Sequence, residues 1–435
     1  MSTVDAFSGS VSSGNLILGT DGALYGVNYT VSASVTGGVI YRAAVDGSAI
    51  ITLHQLDPTE GVSPRGGLLQ ASDGYLYGTT QYGGHTTLYT TGTIYRIAPD
   101  GANFSIIFRF DDYTSLNANS GPINVDGAYP QCELIEGSDG ALYGVTTAGG
   151  PNGTGVVFRV SKDGTGYQVL HTFGAITSPA GVTPITNDDG ATPTGALVDG
   201  KDGNLYGTAS AGGENGRGVI FRLAYDGSNF AVIYEFSAAN SSTNTGLLTN
   251  SDGVIPLAGL LDADDGFLYG VASQGGSIGY GTVFAVSRDG QVFNVLHSFG
   301  GADGSEPKAA LLLGADGKLY GTTASGGTDS KGGSTLYGTI FSIGRDGAGF
   351  SSLWSMDGKN GITPLTKLVQ ISNTVFEGTN STGGNCSAGT IYRLSLSGDT
   401  ITGSTGCGYK RSTGAVDPGL VLLLGGLGLA RRRRT

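Results

Sequence analysis

Apolar residues in this chain come in short runs rich in Val, Ile, Tyr, Phe and Thr, such as Val156-Val-Phe-Arg-Val160 and Val169-Leu-His-Thr-Phe173, and turn residues close each run. Runs of this length and make-up predict strands, and no helical stretch separates them. One phrase, Asp-Gly-x-Leu-Tyr-Gly-[Thr/Val], returns six times, at Tyr25, Tyr77, Tyr143, Tyr206, Tyr269 and Tyr320, with a decayed seventh copy at Phe376. Each copy leads to an apolar run with an aromatic near its centre: Tyr41, Tyr95, Phe158, Phe221, Phe284, Phe341 and Tyr392. A second Asp-Gly follows at Asp46, Asp100, Asp163, Asp226, Asp289 and Asp346, and then comes another apolar run. Upstream, Pro64, Pro130, Pro193, Pro256, Pro307 and Pro364 each stand nine residues before the Asp or Asn of the next turn, which places the first strand of every repeat.

Asp-Gly between two strand-like runs is a hairpin signal, because a tight type I′ turn needs positive φ at both central residues. Strands one and two therefore pair, and so do three and four. Four antiparallel strands in a unit of 51 to 66 residues, repeated seven times, predict an all-β, seven-bladed β-propeller of four-stranded antiparallel blades. A β-solenoid is the structural alternative, and its coils would be shorter. Thr3-Val-Asp-Ala-Phe7 aligns with Val169 to Phe173, a fourth strand, while residues 364 to 396 supply three strands for the last blade. The N-terminal strand is thus expected to complete blade seven, with Thr400 to Thr405 as competitor. The organisation expected is a propeller over residues 1–405 and a linker with a sorting or anchor segment over 406–435.

Composition narrows the function classes. The 435 residues include 79 Gly and only 13% charged residues, which suits strands joined by tight turns. A formal net charge of −12 excludes nucleic acid as an expected partner. Three cysteines, Cys132, Cys386 and Cys407, are too few for a disulfide framework, although Cys386 and Cys407 could pair around the last repeat. The start, Met1 to Ser10, shows no basic segment and no apolar run, so no secretory signal peptide is visible. At the other end an apolar run from Gly419 to Ala430 stops at Arg431 to Arg434, too short to span a bilayer comfortably but with a basic stop. This tail resembles the PEP-CTERM-like bacterial sorting signals, which implies export, processing and surface attachment, with membrane contact only through this segment before processing.

The phrases Tyr-Gly-Thr-Thr-x-x-Gly-Gly (Tyr320 to Gly327) and Gly-Thr-[Ile/Val]-[Phe/Tyr]-Arg (Gly92 to Arg96) resemble the Gloeo-Verruco tandem repeat, the choice-of-anchor GloVer repeat, and the resemblance runs to about Ser397. It implies surface display in bacteria, an extracytoplasmic or secreted location, and no defined reaction. Repeat seven departs from the pattern, with Ser372-Asn373 and Ser397-Gly398 where the Asp-Gly steps belong.

In such a fold the first-to-second and third-to-fourth turns share one face, while the other connections share the opposite face. The first set is tight Asp-Gly. The second set is long and irregular, for example Asn28 to Gly38, Asp111 to Val125, Gly174 to Asp188 and Ser237 to Ser251. Loops on a rigid scaffold are where binding resides, so that face is the expected recognition surface. His54, His171 and His297 share a strand-four register with Phe108, Tyr234 and Trp354 and read as packing residues. His85 alone lies in a variable loop and is a candidate binding residue. Glu136, Asp199 and Asp262, six residues after their positional Pro, put carboxylates in one register of three neighbouring inner strands. They could hold a ligand or do acid-base work near the channel, although a polar strand end beside a turn accounts for them as well. No catalytic or nucleotide motif occurs in a supporting context, and no metal site or cofactor is expected. The function expected is a binding or structural module for carbohydrate or protein, more in keeping with a non-enzyme than an enzyme. The alternative is a propeller-fold polysaccharide lyase or glycoside hydrolase that uses channel carboxylates.

Overall fold

The computed structural model describes residues 2–396 apart from 7–9, 13, 33–34, 47–48, 86–90, 118–120, 179–182, 243–244, 329–332, 334–335, 360 and 384–388. The expected tail, the competing strand at 400–405, and both Cys386 and Cys407 lie outside the described residues. Among those described there is no helix, and seven small antiparallel sheets form the blades of a propeller. Blade four shows the plan: a first strand in two pieces, Ala191–Pro193 and Val198–Asp199, then Asn204–Ala211, Val219–Ala224 and Ala231–Glu235. Both pieces of the first strand pair with the second strand.

Pleating explains the Leu-Tyr step. Successive residues on a strand face opposite ways, so Leu205 packs toward blade three with Tyr143 and Phe173, while Tyr206 packs toward blade five with Phe236 and Phe284. Each blade thus buries one face on each neighbour. The Gly after the Tyr is required by close approach: a Cβ on Gly207 would lie 2.5 Å from Cζ of Phe221 on strand three. The Gly of the second Asp-Gly is required twice. Gly164 has φ +87°, and a Cβ there would sit 2.0 Å from the carbonyl oxygen of Ile107 in the preceding blade.

Ile107 approaches that turn because it is the bulged residue of its strand. Every third-to-fourth strand pair carries a register shift, at Ile40/Tyr41, Ile106/Phe108, Val157/Phe158, Ile220/Phe221, Val283/Phe284 and Ile340/Phe341. The seventh instance closes the ring. Ser2–Ala6 runs antiparallel to Thr390–Ser395, with Ser2 opposite Arg393 and Ala6 opposite Thr390, and a shift between Thr3 and Asp5. The N-terminal strand is therefore the fourth strand of blade seven, with the same bulge as its counterparts; Phe7 lies outside the described residues.

The blade-to-blade joint also repeats. The residue before each positional Pro has positive φ: Ser63, Tyr129, Thr192, Ile255, Glu306 and Thr363, all between 54° and 61°. That is an uncommon conformation for a residue with a side chain, more so before proline. The joint over-determines it: Ile255 N–H donates to Arg217 O of the preceding blade at 3.0 Å, and Ile255 O accepts from Ser273 N–H at 3.1 Å. Pro256 itself packs where a Cβ on Gly218 would be.

Candidate functional site

The turn face is held by its own side chains. In blade three Asp139 Oδ1 accepts the Ala141 N–H at 3.1 Å, and Oδ2 accepts the Tyr143 hydroxyl and an Arg159 N–H, both at 2.9 Å. Burial opposes the Asp139 charge, but these bonds hold its carboxyl below the usual range. The Tyr-to-Asp bond recurs from Tyr25, Tyr77, Tyr206, Tyr269 and Tyr320. In blade seven Glu377 stands in the Tyr position, fully buried, with Arg393 donating twice to Oε1 at 2.8 and 2.6 Å and Oε2 left without a partner. Burial pushes its pKa up to about 7, with Arg393 offsetting only part.

Glu136, Asp199 and Asp262 line the channel wall near this face, and each accepts hydrogen bonds there. Glu136 accepts from Ser72 N–H at 2.7 Å and Ser72 Oγ at 2.6 Å in the preceding blade and pairs with Lys162. Burial would raise its pKa, yet the Lys162 and Ser72 bonds bring it below the ordinary value. Asp199 accepts from the Tyr225 hydroxyl at 2.5 Å and Lys201 N–H at 2.8 Å. Asp262 accepts from Arg288 at 2.6 Å and Asp264 N–H at 3.0 Å. Gln70 and Gln370, in the same register, accept from Thr20 and Ala315 N–H groups of the blades before them. The structure thus uses Gln70, Glu136 and Gln370 to latch a blade to the turn of its neighbour.

The polar centre of the channel lies half a strand earlier. Three residues past the positional Pro, four blades carry Gly67, Ala196, Gly259 and Ala310, while blades one, three and seven carry Asn15, Glu133 and Lys367. Asn15 Nδ2 donates to Glu133 Oε2 at 3.0 Å across Gly67, and Asn15 Oδ1 accepts the Lys367 N–H at 2.8 Å. The small side leaves a cavity of about 530 Å³, and a second of about 270 Å³ adjoins it. Asn15, Glu133 and Lys367 line both. Desolvation pushes the Glu133 pKa up, with Lys367 and Asn15 opposing the rise. This set was readable as a break in a register of small residues.

The strand-four slot combines packing with a bond. His171 stacks on Phe230 of the next blade, centroids 3.5 Å apart and 4° from parallel, as His54 does on Phe104 and His297 on Phe350. Each imidazole also meets an acid four residues before a positional Pro: Glu60 at 2.9 Å, Asp189 at 2.9 Å and Asp303 at 2.7 Å. Tyr234 donates to Asp252 in the same way at 2.7 Å. In blade two the slot holds Phe108, which has no donor, and Asp126 Oδ1 is without a partner. Burial pushes the Asp126 pKa up to about 6, with the Asp111 N–H opposing the rise. His85 does not reach these groups: its Nε2 bonds Phe110 O at 2.8 Å, as Asn152 bonds Phe173 O and Asn215 bonds Phe236 O.

The loop face carries three erected hairpins. One pairs Ser115–Asn117 with Gly121–Ile123, another pairs Asn240–Ser241 with Leu248–Thr249, and Thr177 meets Thr186 across a third. An Asn-x-Asp-Gly step founds each one. Asn187 Nδ2 donates to Gly174 O and Gly190 O, and its Oδ1 accepts the Gly190 and Gly213 N–H groups; Asn124 and Asn250 do the same. The expected loop from Asn28 to Gly38 differs: both strands continue through it, pairing out to Ser32 and Val35. Tyr29, Tyr82, Tyr113, Tyr129, Tyr280 and Tyr337 stand on this side, none of them buried. Arg65 lies 5.1 Å over the Tyr29 ring, and Tyr82 meets Tyr129 edge-on at 5.0 Å.

The Gloeobacter/Verrucomicrobia repeat matches residues 1–187, 126–255 and 248–421. The chain belongs to that repeat family. No curated protein matches this repeat chain. Its fold is similar to oligogalacturonate lyase from Vibrio parahaemolyticus, with a TM-score of 0.51 and 12% identity over 91% of this chain and 93% of that one. A second similar structure is the extracellular domain of a protein described as a one component system from B. thetaiotaomicron, with a TM-score of 0.49 and 12% identity over 90% of this chain and 40% of that one. At these identities the likeness is one of fold.

Proposed function

We propose that this repeat propeller is an extracytoplasmic, surface-displayed binding module, and that its loop face receives carbohydrate. The observation that carries the reading is the gathering of half-exposed tyrosines and three hairpins on one face, opposite a face of tight turns. Tyrosine offers an apolar ring and a polar tip, which suits a wet surface that stacks on sugar rings. A non-enzymatic role is supported by Glu136, Asp199 and Asp262, which accept hydrogen bonds from turns of their own or the preceding blade. Display at the surface rests on the resemblance of residues 406–435 to sorting signals. The experiment is a survey of cell-surface and plant-cell-wall polysaccharides with the purified propeller and its Tyr82→Ala and Tyr337→Ala variants. Retention of a polysaccharide that weakens at least tenfold in either variant supports the reading. Retention unchanged in both, or capture of protein alone, counts against it.

A further inference from the structure

Lys367 and Glu133 face one cavity without pairing to each other. Among the described residues the Lys367 ammonium meets no acid within ion-pair distance, whereas Lys308 pairs with Glu306 at 2.6 Å and Arg65 lies over Tyr29. Glu133 gives Oε2 to Asn15 and keeps Oε1 for an occupant. A cation and an acceptor held apart on the wall of one cavity leave bonding capacity facing it, and a ligand carrying an anionic group and hydroxyl donors would satisfy both. A volume of about 530 Å³ falls within the range of small-molecule pockets. Gly67, Ala196, Gly259 and Ala310 form the small side of the cavity lining, where a Cβ on Gly67 would already meet Asn15 Cβ at 2.8 Å and one on Gly259 the Ala196 carbonyl oxygen at 2.6 Å.

The cavity lining carries Arg65, Lys308 and Lys367 beside Glu133, Glu136, Asp199 and Asp262. Lys308 is paired with Glu306, Arg65 lies over Tyr29, and Glu136, Asp199 and Asp262 accept bonds at the turn end, so Lys367 is the cation left to meet an occupant. At this point of the wall the ammonium of Lys367 favours a ligand group that brings a negative charge over a neutral one. We infer that the central channel is a binding site for a sugar acid, with the ligand carboxylate on Lys367 and a ring hydroxyl donating to Glu133 beside Asn15. This site uses none of the loop-face tyrosines, so it stands or falls apart from the reading above.

The test is calorimetric titration of the intact propeller with galacturonate and glucuronate, each beside its methyl ester, and with inorganic phosphate. Binding of a sugar acid at least tenfold tighter than its ester and tighter than phosphate is expected. Lys367→Met should weaken it at least tenfold, about 1.4 kcal/mol, and Glu133→Gln should weaken it severalfold. Ala310→Leu fills the small side without touching a polar group and should also abolish binding, so the inference stays testable if Lys367→Met fails to fold. Lys201→Met, on the exposed turn face, should bind as the parent does. No heat from either sugar acid at millimolar concentration, equal binding of acid and ester, phosphate binding as tight as the sugar acids, or parental affinity in Lys367→Met and Ala310→Leu would each overturn it.

Discussion

The imidazole of His171 lies flat on the ring of Phe230 while its Nε2 meets Asp189 at 2.9 Å, so one side chain both stacks on the next blade and secures the loop behind it. Replacing it with Phe keeps the first function and loses the second. His171→Phe should destabilise the fold by about 1–3 kcal/mol, the cost of leaving a half-buried carboxylate oxygen unpaired. Adding Asp189→Ala to His171→Phe should return part of that loss. Chemical denaturation of the three variants measures it; no loss in His171→Phe would mean that packing alone matters in the slot.

Blade two already contains the comparison, because Phe108 leaves Asp126 Oδ1 without a partner. The Asp126 pKa is pushed up to about 6, above the unfolded value near 3.9, so the folded state retains its proton to higher pH. Its contribution is therefore most favourable below pH ~4 and is lost as pH rises through about 6. Asp126→Asn should stabilise the protein at pH 7.5 relative to pH 4.5, and Phe108→His should do so by supplying a donor. Thermal unfolding at the two pH values decides; an Asp126→Asn effect that is equal at both removes the explanation.

Asn187 makes four backbone bonds beneath one hairpin. Asn187→Ala should speed amide exchange at Gly190 and Gly213 by more than tenfold while the strand amides of blade four keep their protection. Uniform acceleration through the blade would show the cradle to be part of the global core instead.

Gly207 leaves no room for a methyl group beside Phe221. Gly207→Ala should cost about 1–3 kcal/mol through overpacking, and a second change, Phe221→Leu, should recover part of it. Additive losses in the double variant would contradict a steric cause.

The ring is sealed by Ser2–Ala6 on Thr390–Ser395. Removing residues 1–6 exposes an edge on blade seven and frees the last blade from the chain start, so the whole unfolding transition should shift downward together. Hydrogen exchange confined to blade seven, with an unchanged transition, would mean that the seam contributes only locally.

The blade plan was legible because its determinants are local. Asp139, Gly140 and Tyr143 sit within five residues of one another, and the turn they build needs nothing from elsewhere. The latches and slots were harder to see because the partners are far apart: Asp189 is 18 residues from His171, whereas Asp303 is six from His297. Insertions of variable length hide that relation until positions are counted back from the proline. Glu133 escaped notice for another reason. Its register is mostly Gly and Ala, so it carried no apolar signal to align, and the carboxylates three residues further on drew attention instead. At Asn28 to Gly38 the Gly pair suggested a loop, yet alternation through Tyr29 and Val31 is compatible with longer strands, and pairing prevailed.

Closure within blade seven has a mechanical consequence. Chain leaving Leu396 starts from Thr390–Ser395, which is bonded on one side to Val375–Thr382 and on the other to Ser2–Ala6. A pull along that strand loads two ladders of hydrogen bonds in shear, so the bonds share the force instead of opening one after another. Resistance to such a pull is a matter of unfolding rate more than of equilibrium stability. A propeller tethered through this strand would be held at its most firmly clamped point, and drag on the rest of the disc would meet the seam sideways.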